Sequence, residues 1–454
     1  MFKRVLIANR GEIALRVIRA CRKLGIESVA VYSEADADSP HLAEADERVC
    51  IGGPKSDESY LNMTAILQAA EQTEAKAIHP GYGFLAENAL FAEMCRQCKF
   101  TFIGPSGRVM RLMGDKATAR RTMKAAGLPV IPGSEDVVHG VQEALGIARS
   151  FGFPVLLKAT AGGGGKGMRI CRDEASFAAN YEQASIEAQK AFGNAGLYLE
   201  KYIEGGRHIE FQFMADSFGN AVHLGERECS VQRSHQKLIE ESPSTVMDPT
   251  LREQMGAKVC EGVRAIGYVG AGTMEFLRDP DGKLYFMEVN TRLQVEHPVT
   301  EMVTGYDLVA EQLRIAANHT LSMQQAEVKL TGHAIECRIN AEDPFDGFRP
   351  SPGLVSVFEP PAEGAMAIAN DGVRVRVDSH VRSGYRIPVF YDSMICKLIV
   401  AGADRTAARL GMIQALEHFR VEGIKTTIPI HLRILADERF ASGHYDTRLV
   451  SQLL

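Results

Sequence analysis

The stretch RVLIANRGEIALRVIRACRKLG, residues 4–25, passes from an apolar run into a helical repeat without a linker. The run RVLIANR predicts a buried β-strand, because it is short and rich in branched apolar residues. The residues after it predict an α-helix, because apolar side chains recur every three or four positions, at Ile13, Val17, Cys21 and Leu24. Gly25 follows and ends the helix. The stretch is therefore the first half of a β–α–β unit.

Three later segments continue this alternation of strand and helix: ESVAVYS (27–33), AKAIHPGYG (75–83) and FTFIGPSG (100–107). Their rhythm predicts a doubly wound parallel sheet of the Rossmann-like kind over the first 113 residues. A dinucleotide site would place G-x-G-x-x-G after the first strand, whereas NRGEIA has one glycine. We therefore expect the fold without dinucleotide binding.

The composition is that of an ordinary globular protein of several domains: 454 residues, 45% hydrophobic and 24% charged. The net charge of −6 argues against nucleic acid and anionic membranes as partners. No apolar run reaches the roughly 20 residues of a membrane span, and MFKRVLIANRGEIA lacks signal-peptide character. Nine scattered cysteines favour free thiols, so the sequence predicts a cytoplasmic protein.

The remainder of the chain is richer in predicted strands. Residues 153–201 predict a strand, a glycine loop, a helix and a second strand. Four segments after residue 332 predict further strands: HAIECRIN, LVSVFEP, VRVRVDSHV and MICKLIVAG. ADRTAARLGMIQALEHF (403–419) predicts a last amphipathic helix with Leu410, Ile413 and Leu416 on its buried face.

The segment MEFLRDPDGKLYFMEVN (274–290) predicts a β-hairpin, because two apolar runs flank a Pro-Asp-Gly turn. With Asp281 and Gly282 as the two turn residues, Glu275 lies directly opposite Glu288 and on the same face as Asn290. Carboxylates about 5 Å apart repel each other unless a cation lies between them. Mg²⁺ takes such ligands and adds water and phosphate, which indicates a nucleoside triphosphate site. The alternative is a solvated strand face with two acids by chance.

A glycine-rich segment, PVLLKATAGGGGKGMRI (154–170), supplies a phosphate site for that nucleotide. It predicts a buried strand with Lys158, then a loop whose backbone N–H groups approach phosphate oxygens without hindrance from side chains. It is not a Walker A loop, since Thr160 lies six positions before Lys166 and Gly167 follows it. The alternative is a flexible surface loop, whereas a functional loop would close over the nucleotide as a lid.

Taken together, these segments resemble the ATP-grasp superfamily and, more narrowly, the biotin carboxylases. Eight strings carry the resemblance in the family's order: LIANRGEIA, IHPGYGFLAEN, FIGPS, MGDK, KATAGGGGKGMRI, ERECSVQRSHQK, MEVNTRLQVEHPVTE and ECRINAEDP. The resemblance implies a Rossmann-like N-terminal domain (1–113), an ATP-grasp domain (114–330) with a lid over about 131–203, and a mixed β/α C-terminal domain (331–454). Two departures are Ser234, where a basic residue is common, and Lys166, where arginine is frequent in one branch.

The resemblance also assigns a nucleotide site. Lys116 and Lys158 match lysines that hold the ATP phosphates, and Glu275 and Glu288 match Mg²⁺ ligands, with Asn290 beside them. The other matched positions are the loop residues Gly163, Gly164, Gly165, Lys166 and Gly167, the adenine hinge Glu200 and Lys201, and the lining residues His208, Gln232 and His235. Strand parity cannot direct Gln232, His235 and Lys237 to one ligand, so we expect a bulge or irregular segment there.

For bicarbonate and biotin, the resemblance implies Lys237, Arg292, Gln294 and Val295 as the bicarbonate site, Glu296 as the general base and Arg338 as the arginine facing biotin. In this family, bicarbonate attacks ATP to give carboxyphosphate, whose phosphate then deprotonates biotin. An ionised Glu296, kept so by nearby Arg292, would accept the bicarbonate proton. Two alternatives stay open: Arg338 could pair with Glu336, and Glu296 could be a surface acid beside His297.

The implied function is ATP-dependent carboxylation of biotin on a separate carrier protein, as the first half-reaction of acetyl-CoA carboxylase. The alternatives are a pyruvate, 2-oxo acid or other acyl-CoA carboxylase, or another ATP-grasp ligase such as a carbamoyl-phosphate synthetase domain. The implied cofactors are ATP and Mg²⁺, with Mn²⁺ as a substitute. Residues 122–125, Thr-Met-Lys-Ala, lack the methionine after lysine of a biotin attachment motif, so biotin is expected on another chain. The implied partners are that carrier, carboxyltransferase subunits and a second copy of this chain.

Overall fold

The structure is a computed structural model that describes residues 1–159, 168–192, 195–234, 236–365 and 372–454. Contacts divide it into two compact units, one of residues 1–128, 207–276 and 288–454, the other of residues 129–206 and 277–287. The three domain boundaries expected from the sequence remain a prediction. No helix in the described ranges combines the length and apolar character of a bilayer span.

The first unit begins with a parallel sheet of five strands in the order β3-β2-β1-β4-β5. Its strands are β1 (Arg4–Ile7), β2 (Glu27–Tyr32), β3 (Glu47–Cys50), β4 (Ala77–His79) and β5 (Thr101–Phe102). The helices are α1 (Gly11–Lys23), α2 (Met63–Gln72), α3 (Ala89–Gln97), α4 (Gly107–Gly114) and α5 (Lys116–Ala125). Short 3₁₀ turns span Glu34–Asp36, Pro40–Glu44 and Ser56–Glu58. The predicted doubly wound sheet is confirmed, while β3 was not predicted.

Helix α1 has the buried apolar face that its sequence pattern predicts, and glycine follows its end. Ile13, Val17 and Cys21 are buried against the sheet, and Gly25 has the left-handed φ of +69° that follows a helix end. The order of the sheet reverses between β1 and β4, and loops at such a switch point leave a crevice at the carboxyl ends of the strands. Here those loops contain residues 8–10 and 80–84.

The second unit is a small sheet covered by helices, with α6 (Val141–Phe151), β6 (Val155–Ala159), β7 (Met168–Cys171), α7 (Phe177–Phe192) and β8 (Leu197–Lys201). The three strands are antiparallel in the order β7-β6-β8. Val155, Leu157, Phe177 and Leu199 are fully buried in its core. The predicted glycine loop joins β6 to β7, and residues 160–167 lie outside the described part of the chain.

The rest of the first unit contributes most of a sheet of nine strands, ordered β13-β12-β9-β10-β11-β14-β20-β19-β18. Its strands are β9 (Arg207–Ala215), β10 (Ala221–Arg233), β11 (Gln236–Ser242), β12 (Gly270–Arg278), β13 (Leu284–Asn290), β14 (His333–Asn340), β18 (Gly364–Ala365), β19 (Arg374–Ser379) and β20 (Met394–Gly402). Two small antiparallel sheets in the described residues pair β15 (Glu342–Asp343) with β16 (Arg349–Pro350), and β17 (Val357–Glu359) with β21 (Arg420–Glu422). The helices are α8 (Pro249–Ile266), α9 (His297–Thr304), α10 (Leu308–Ala316), α11 (Arg405–Glu417), α12 (Ile428–Ala436), α13 (Glu438–Ser442) and α14 (Leu449–Leu453), with a 3₁₀ turn at Gln325–Glu327.

The hairpin of β12 and β13 forms, but its turn is one residue longer than predicted. The amide of Gly282 donates to the carbonyl of Asp279, and the amide of Asp279 donates to the carbonyl of Lys283. Gly282 has φ +91°, as the last residue of a three-residue loop requires. The two-residue turn at Asp281 and Gly282 is therefore wrong.

The irregular segment predicted near Gln232 is confirmed. The β10–β11 register shifts between Val231 and Gln232, so that Gln232 lies directly opposite Lys237. Directly opposed residues share a face of the sheet, which ordinary alternation would have prevented. Ser234 lies in the connecting turn with a left-handed φ of +48°.

Candidate active site

Lys237 on β11 lies among three carboxylates. Its Nζ is 2.6 Å from Oε2 of Glu210 on β9, 2.6 Å from Oε1 of Glu296 and 3.2 Å from Oε1 of Glu275 on β12. Burial would lower the pKa of Lys237, but the charges of Glu210, Glu275 and Glu296 outweigh it and raise this pKa well above its ordinary value. Lys237 is therefore a fixed cation.

Glu296 is fully buried at the residue that precedes α9, so the alternative of a surface acid is wrong. Its Oε2 accepts from Nη2 of Arg338 at 3.0 Å. Burial would raise the pKa of Glu296, but the charges of Lys237 and Arg338 hold it well below its usual range. The carboxylate is therefore ionised at neutral pH, and Lys237 and Arg338 fill the role that the sequence pattern had suggested for Arg292.

Arg338 on β14 pairs with a residue that was not predicted. Its Nε donates to Oε1 of Glu240 at 2.6 Å, and Glu240 belongs to the neighbouring strand β11. Burial raises the pKa of Glu240 to about 7, although Arg338 opposes this. The alternative pairing of Arg338 with Glu336 is wrong, because neither oxygen of Glu336 has a hydrogen-bond partner within the described ranges.

Two further buried charged residues that were not predicted, Arg227 and Glu210, belong to this cluster. Arg227 on β10 is fully buried, and its Nε donates to Oε1 of Glu210 at 2.6 Å. Its Nη1 also reaches Oγ1 of Thr300 on α9 at 3.0 Å. A charged residue within an apolar strand, as in RHIEFQFMA, was the signal that could have revealed Glu210, since buried charges occur in pairs.

Arg292 lies outside this cluster. Its Nε donates to Oε2 of Glu87 at 2.8 Å, and its Nη2 donates to Oδ1 of Asn290 at 3.3 Å. Glu87 also accepts from the backbone amide of Thr291 at 2.9 Å. Glu87 was not predicted, because it lies 205 residues before Arg292, in IHPGYGFLAEN.

The charge of Glu275 is balanced by its neighbours. Lys237 and Nε2 of His208, 3.0 Å from Oε2, both lie beside it, and Nδ2 of Asn290 donates to Oε1 at 2.8 Å. Burial would lower the pKa of His208, but the charge of Glu275 raises it. Glu288 is 39% exposed and its Oε2 lies 3.4 Å from Nζ of Lys116.

The donor set around the hairpin fits a magnesium ion. Glu275, Glu288 and Asn290 offer hard oxygen ligands on neighbouring strands, and the exposure of Glu288 leaves room for water and phosphate. His208, Glu210 and Glu275 also bring ligand atoms within 4.8 Å of one another, but Lys237 already neutralises that group. Both sets include Glu275, which Lys237 also contacts, and the hairpin set differs by the exposed carboxylate of Glu288, where water and phosphate can complete the shell of a metal.

Of the remaining predicted residues in the first unit, Gln294 and Val295 belong to the same cluster. Nε2 of Gln294 donates to Oε1 of Glu275 at 3.1 Å, and its Oε1 accepts from Lys237 at 3.3 Å. The carbonyl of Val295 accepts from the buried Nζ of Lys397 at 3.0 Å, a contact that was not predicted. His235 lies outside the described residues.

The second unit contains the other predicted nucleotide residues. Lys158 on β6 forms an ion pair with Glu200 on β8. Nζ of Lys201 donates to the carbonyls of Gly152 and Phe153 at 3.0 and 2.8 Å. The remaining predicted residues, Gly163, Gly164, Gly165, Lys166 and Gly167, lie outside the described part of the chain.

A cavity of about 510 Å³ lies at the switch point between β1 and β4. Its wall includes loop residues of that crevice, such as Asn9 and Tyr82, together with Arg292, Val295 and Arg338. The cluster around Glu296 thus opens onto the place where this fold binds ligands. Such a volume suits a small organic substrate; we refer to it as the switch-point cavity.

Comparisons with known proteins agree with this arrangement. Residues 1–110 match the profile described as the biotin carboxylase N-terminal domain, and residues 336–452 match the biotin carboxylase C-terminal domain. Residues 115–324 match the ATP-binding domain of the carbamoyl-phosphate synthase L chain. The predicted fold class, with an ATP-grasp region between two flanking domains, is confirmed.

Individual relatives cover nearly the whole chain. Biotin carboxylase 1 of Bacillus subtilis (strain 168) is 53% identical over 99% of this chain and 98% of its own length. The solved biotin carboxylase domain dimer of the Hydrogenobacter thermophilus 2-oxoglutarate carboxylase, in complex with MgADP, ADP and bicarbonate, matches with a TM-score of 0.89 at 50% identity. That match covers 100% of this chain and 98% of the other. The solved biotin carboxylase component of a pyruvate carboxylase matches over the same shares, with a TM-score of 0.89 at 49% identity.

The profiles at both ends and a relative 53% identical over nearly the whole chain lead to one assignment. This chain belongs to the biotin carboxylase family, whose members are ATP-dependent ligases that carboxylate biotin with bicarbonate.

Proposed function

We propose that Glu296 accepts the proton of bicarbonate while Lys237, Arg292, Gln294 and the backbone of Val295 hold the anion. The observation that carries this role is the position of Glu296, which is ionised, buried and in contact with both Lys237 and Arg338. Before an anion binds, Glu296 is a weak base, because Lys237 and Arg338 lower its pKa. An anion bound beside Lys237 offsets that charge and raises the basicity of Glu296 as the substrate arrives.

We assign the nucleotide to the residues that the family resemblance indicates. Lys116, Lys158 and the segment from Gly163 to Gly167 would hold the phosphates, while Glu200, Lys201, His208, Gln232 and His235 would line the nucleoside. Glu275 and Glu288, with Asn290 beside them, would hold Mg²⁺, which neutralises charge on the phosphates during transfer. ATP and bicarbonate then give carboxyphosphate and ADP.

Arg338 is assigned to biotin. It lines the switch-point cavity and is held in place by Glu240 and Glu296. Phosphate released with CO₂ from carboxyphosphate would remove the N1 proton, and the guanidinium would stabilise the oxygen of the ureido enolate. The enolate then attacks CO₂ and forms carboxybiotin.

We assign this chain to an acetyl-CoA carboxylase. Its partners would be a separate biotin carrier protein, carboxyltransferase subunits and a second copy of this chain. Support for the assignment is the similarity to a relative named biotin carboxylase 1, a name that mentions no keto acid, and support for a dimer is the dimeric relative. The similarity to pyruvate and 2-oxoglutarate carboxylases makes a 2-oxo acid the second candidate acceptor. A cytoplasmic location agrees with nine free cysteines, two of them exposed.

The first experiment measures ADP release with Mg²⁺, ATP and bicarbonate, with and without free biotin. We expect biotin to stimulate turnover, and Glu296→Ala to lower it by about 10²–10⁴-fold, because a positioned base is lost. Glu417→Gln, an exposed residue on α11, is the control and should match the wild type. Turnover that ignores biotin, or that survives the loss of Glu296, would contradict the proposal.

A second experiment identifies the acceptor. Carboxybiotin formed on carrier proteins of the source organism is offered, with the corresponding carboxyltransferases, to acetyl-CoA, pyruvate and 2-oxoglutarate. Malonyl-CoA as the main product supports the acetyl-CoA assignment. Carboxylation of a 2-oxo acid instead would replace it.

A further inference from the structure

A second cavity, of about 820 Å³, lies in the first unit beside the switch-point cavity. Its wall comes from residues 35–43, from Arg48 on β3, from residues 352–353 and from the loop of residues 382–390. Phe390 lines both cavities, so this second cavity adjoins the switch-point cavity. None of the residues placed above in the reaction lines it.

The charged side chains of this cavity are mostly basic. Arg48, Arg382 and Arg386 line it, and Asp38 is the one carboxylate among its lining residues. All three arginines are exposed, and their guanidinium groups have no hydrogen bond or ion pair to any described residue. Two acids close to Arg48 in the sequence have other partners, since Glu44 pairs with Arg22 and Glu47 pairs with Arg4. In a chain with a net charge of −6, this surface is a local basic patch.

The rim of the same cavity is apolar. Val389 is 70% exposed and Phe390 45% exposed, next to each other in the loop that carries Arg382 and Arg386. Exposed aromatic and aliphatic side chains surrounded by arginines are the composition of a protein-binding surface rather than of ordinary solvated loops. We call Arg48, Arg382, Arg386, Val389 and Phe390 the arginine rim.

We propose that the arginine rim is the docking surface for an acidic protein domain that carries biotin. Biotin reaches the switch-point cavity on a tether, so the surface of its carrier must lie close to that cavity while Arg338 contacts the ring. The arginine rim adjoins the cavity through Phe390 and offers unpaired positive charge to acidic side chains. This inference rests on the function proposed above. It adds that the positive charge of the arginine rim selects the carrier protein.

The test separates docking from chemistry by using two forms of one substrate. Carboxylation is measured with free biotin and with the biotinylated carrier protein of the source organism that supports turnover, for wild type and for Arg382→Glu/Arg386→Glu. We expect kcat/KM with the carrier to fall about tenfold or more at low salt, through a higher KM, while free biotin is used within about twofold of wild type. The carrier reaction of the wild type should also weaken with added salt, and that of the variant should not.

The matched control is Lys258→Glu/Arg433→Glu, which changes net charge equally at exposed positions that line neither cavity. It should behave as the wild type with both substrates. Equal kcat/KM for the carrier in wild type and rim variant would overturn the proposal, as would an equal loss in the control. A rim variant that loses affinity for pyrophosphate in calorimetry but keeps its carrier kcat/KM would also overturn it and identify a small-anion site. Absence of any biotin turnover in the wild type would instead refute the proposed function.

Discussion

At the scale of single residues, the charge of Lys237 keeps three buried acids together. We expect Lys237→Gln to destabilise the protein by about 3–5 kcal/mol at neutral pH, because Glu210, Glu275 and Glu296 would lose their shared cation. Burial acts to raise the pKa of Glu275 and of Glu296, and without Lys237 the main opposing charge is lost. The deficit should therefore shrink as the pH falls towards 5 and the acids take up protons. Urea unfolding at pH 5 and pH 8 measures it, with the exposed Lys258→Gln as control; equal deficits at both pH values would contradict the argument.

A second prediction at this scale concerns Glu241 on β11. It lies beside His333, Arg405 and Tyr445. Burial would raise the pKa of Glu241, but His333 and Arg405 lower it to about 2. An acid whose pKa is lowered on folding stabilises the protein above its unfolded pKa of about 4.5, and this stabilisation is lost as the pH falls towards 2. The contribution at neutral pH is roughly 3 kcal/mol.

Glu241→Gln should therefore be less stable than the wild type at pH 7 and should lose less stability between pH 5 and pH 3. The measurement is the midpoint of urea unfolding, followed by circular dichroism, across that range. Parallel pH profiles for the two proteins would show that Glu241 does not carry the acid sensitivity.

At the scale of elements, helix α8 packs against β10 with no space for a side chain at Gly256. A Cβ there would lie 2.3 Å from Nε2 of His223, a buried residue of β10. Gly256→Ala should therefore cost about 1–3 kcal/mol, because the helix or the imidazole must move. Gly146 on α6 has open space around it, so Gly146→Ala should instead stabilise by about 0.5–1 kcal/mol through helix propensity. Urea unfolding compares the pair, and two changes of the same sign would contradict the packing argument.

The sequence pattern of helix α11 predicted the helix but not all of its buried residues. Its existence was predicted, and Leu416 is buried as expected. Leu410 is 49% exposed, while Ala408 and Met412 are buried instead. The prediction for Leu410 was wrong because the buried face of a helix depends on the sheet that covers it, and small residues such as Ala408 allow closer contact than a leucine.

At the scale of the whole molecule, ligand binding should be visible as stability. MgADP at about 100 times its Kd should stabilise the folded state by about 2.7 kcal/mol and raise the midpoint of thermal unfolding. Glu288→Gln should remove most of that shift and leave the ligand-free midpoint nearly unchanged, since the side chain of Glu288 is 39% exposed and its partner Lys116 is 84% exposed. Glu417→Gln is the matched control. Excess EDTA should reduce the shift in the wild type, and a full shift in Glu288→Gln would remove Glu288 from the metal site.

Local sequence patterns were enough to predict the family and most of the strands and helices that form the parallel sheet. Local periodicity was enough to predict the parallel sheet of β1, β2, β4 and β5, because each strand and the helix after it lie within a segment of about 25 residues. The eight strings were enough to indicate the family, because each is a short contiguous segment that can be read without knowledge of the fold. The irregular pairing near Gln232 was also predictable, since three residues could not otherwise share a ligand.

Which charged side chains contact one another depends on the order of the strands in the folded sheet. Glu210, Arg227 and Lys237 lie on separate strands, and their contacts depend on the sheet order β12-β9-β10-β11-β14, which no local pattern contains. Because β11 lies next to β14 in this order, Arg338 forms its ion pair with Glu240 rather than with Glu336, two positions away on its own strand. The arginine rim likewise joins residue 48 to residues near 385. The physical reason is that strand order and loop packing are fixed by burial over the whole chain, whereas the sequence expresses directly only the preferences of near neighbours.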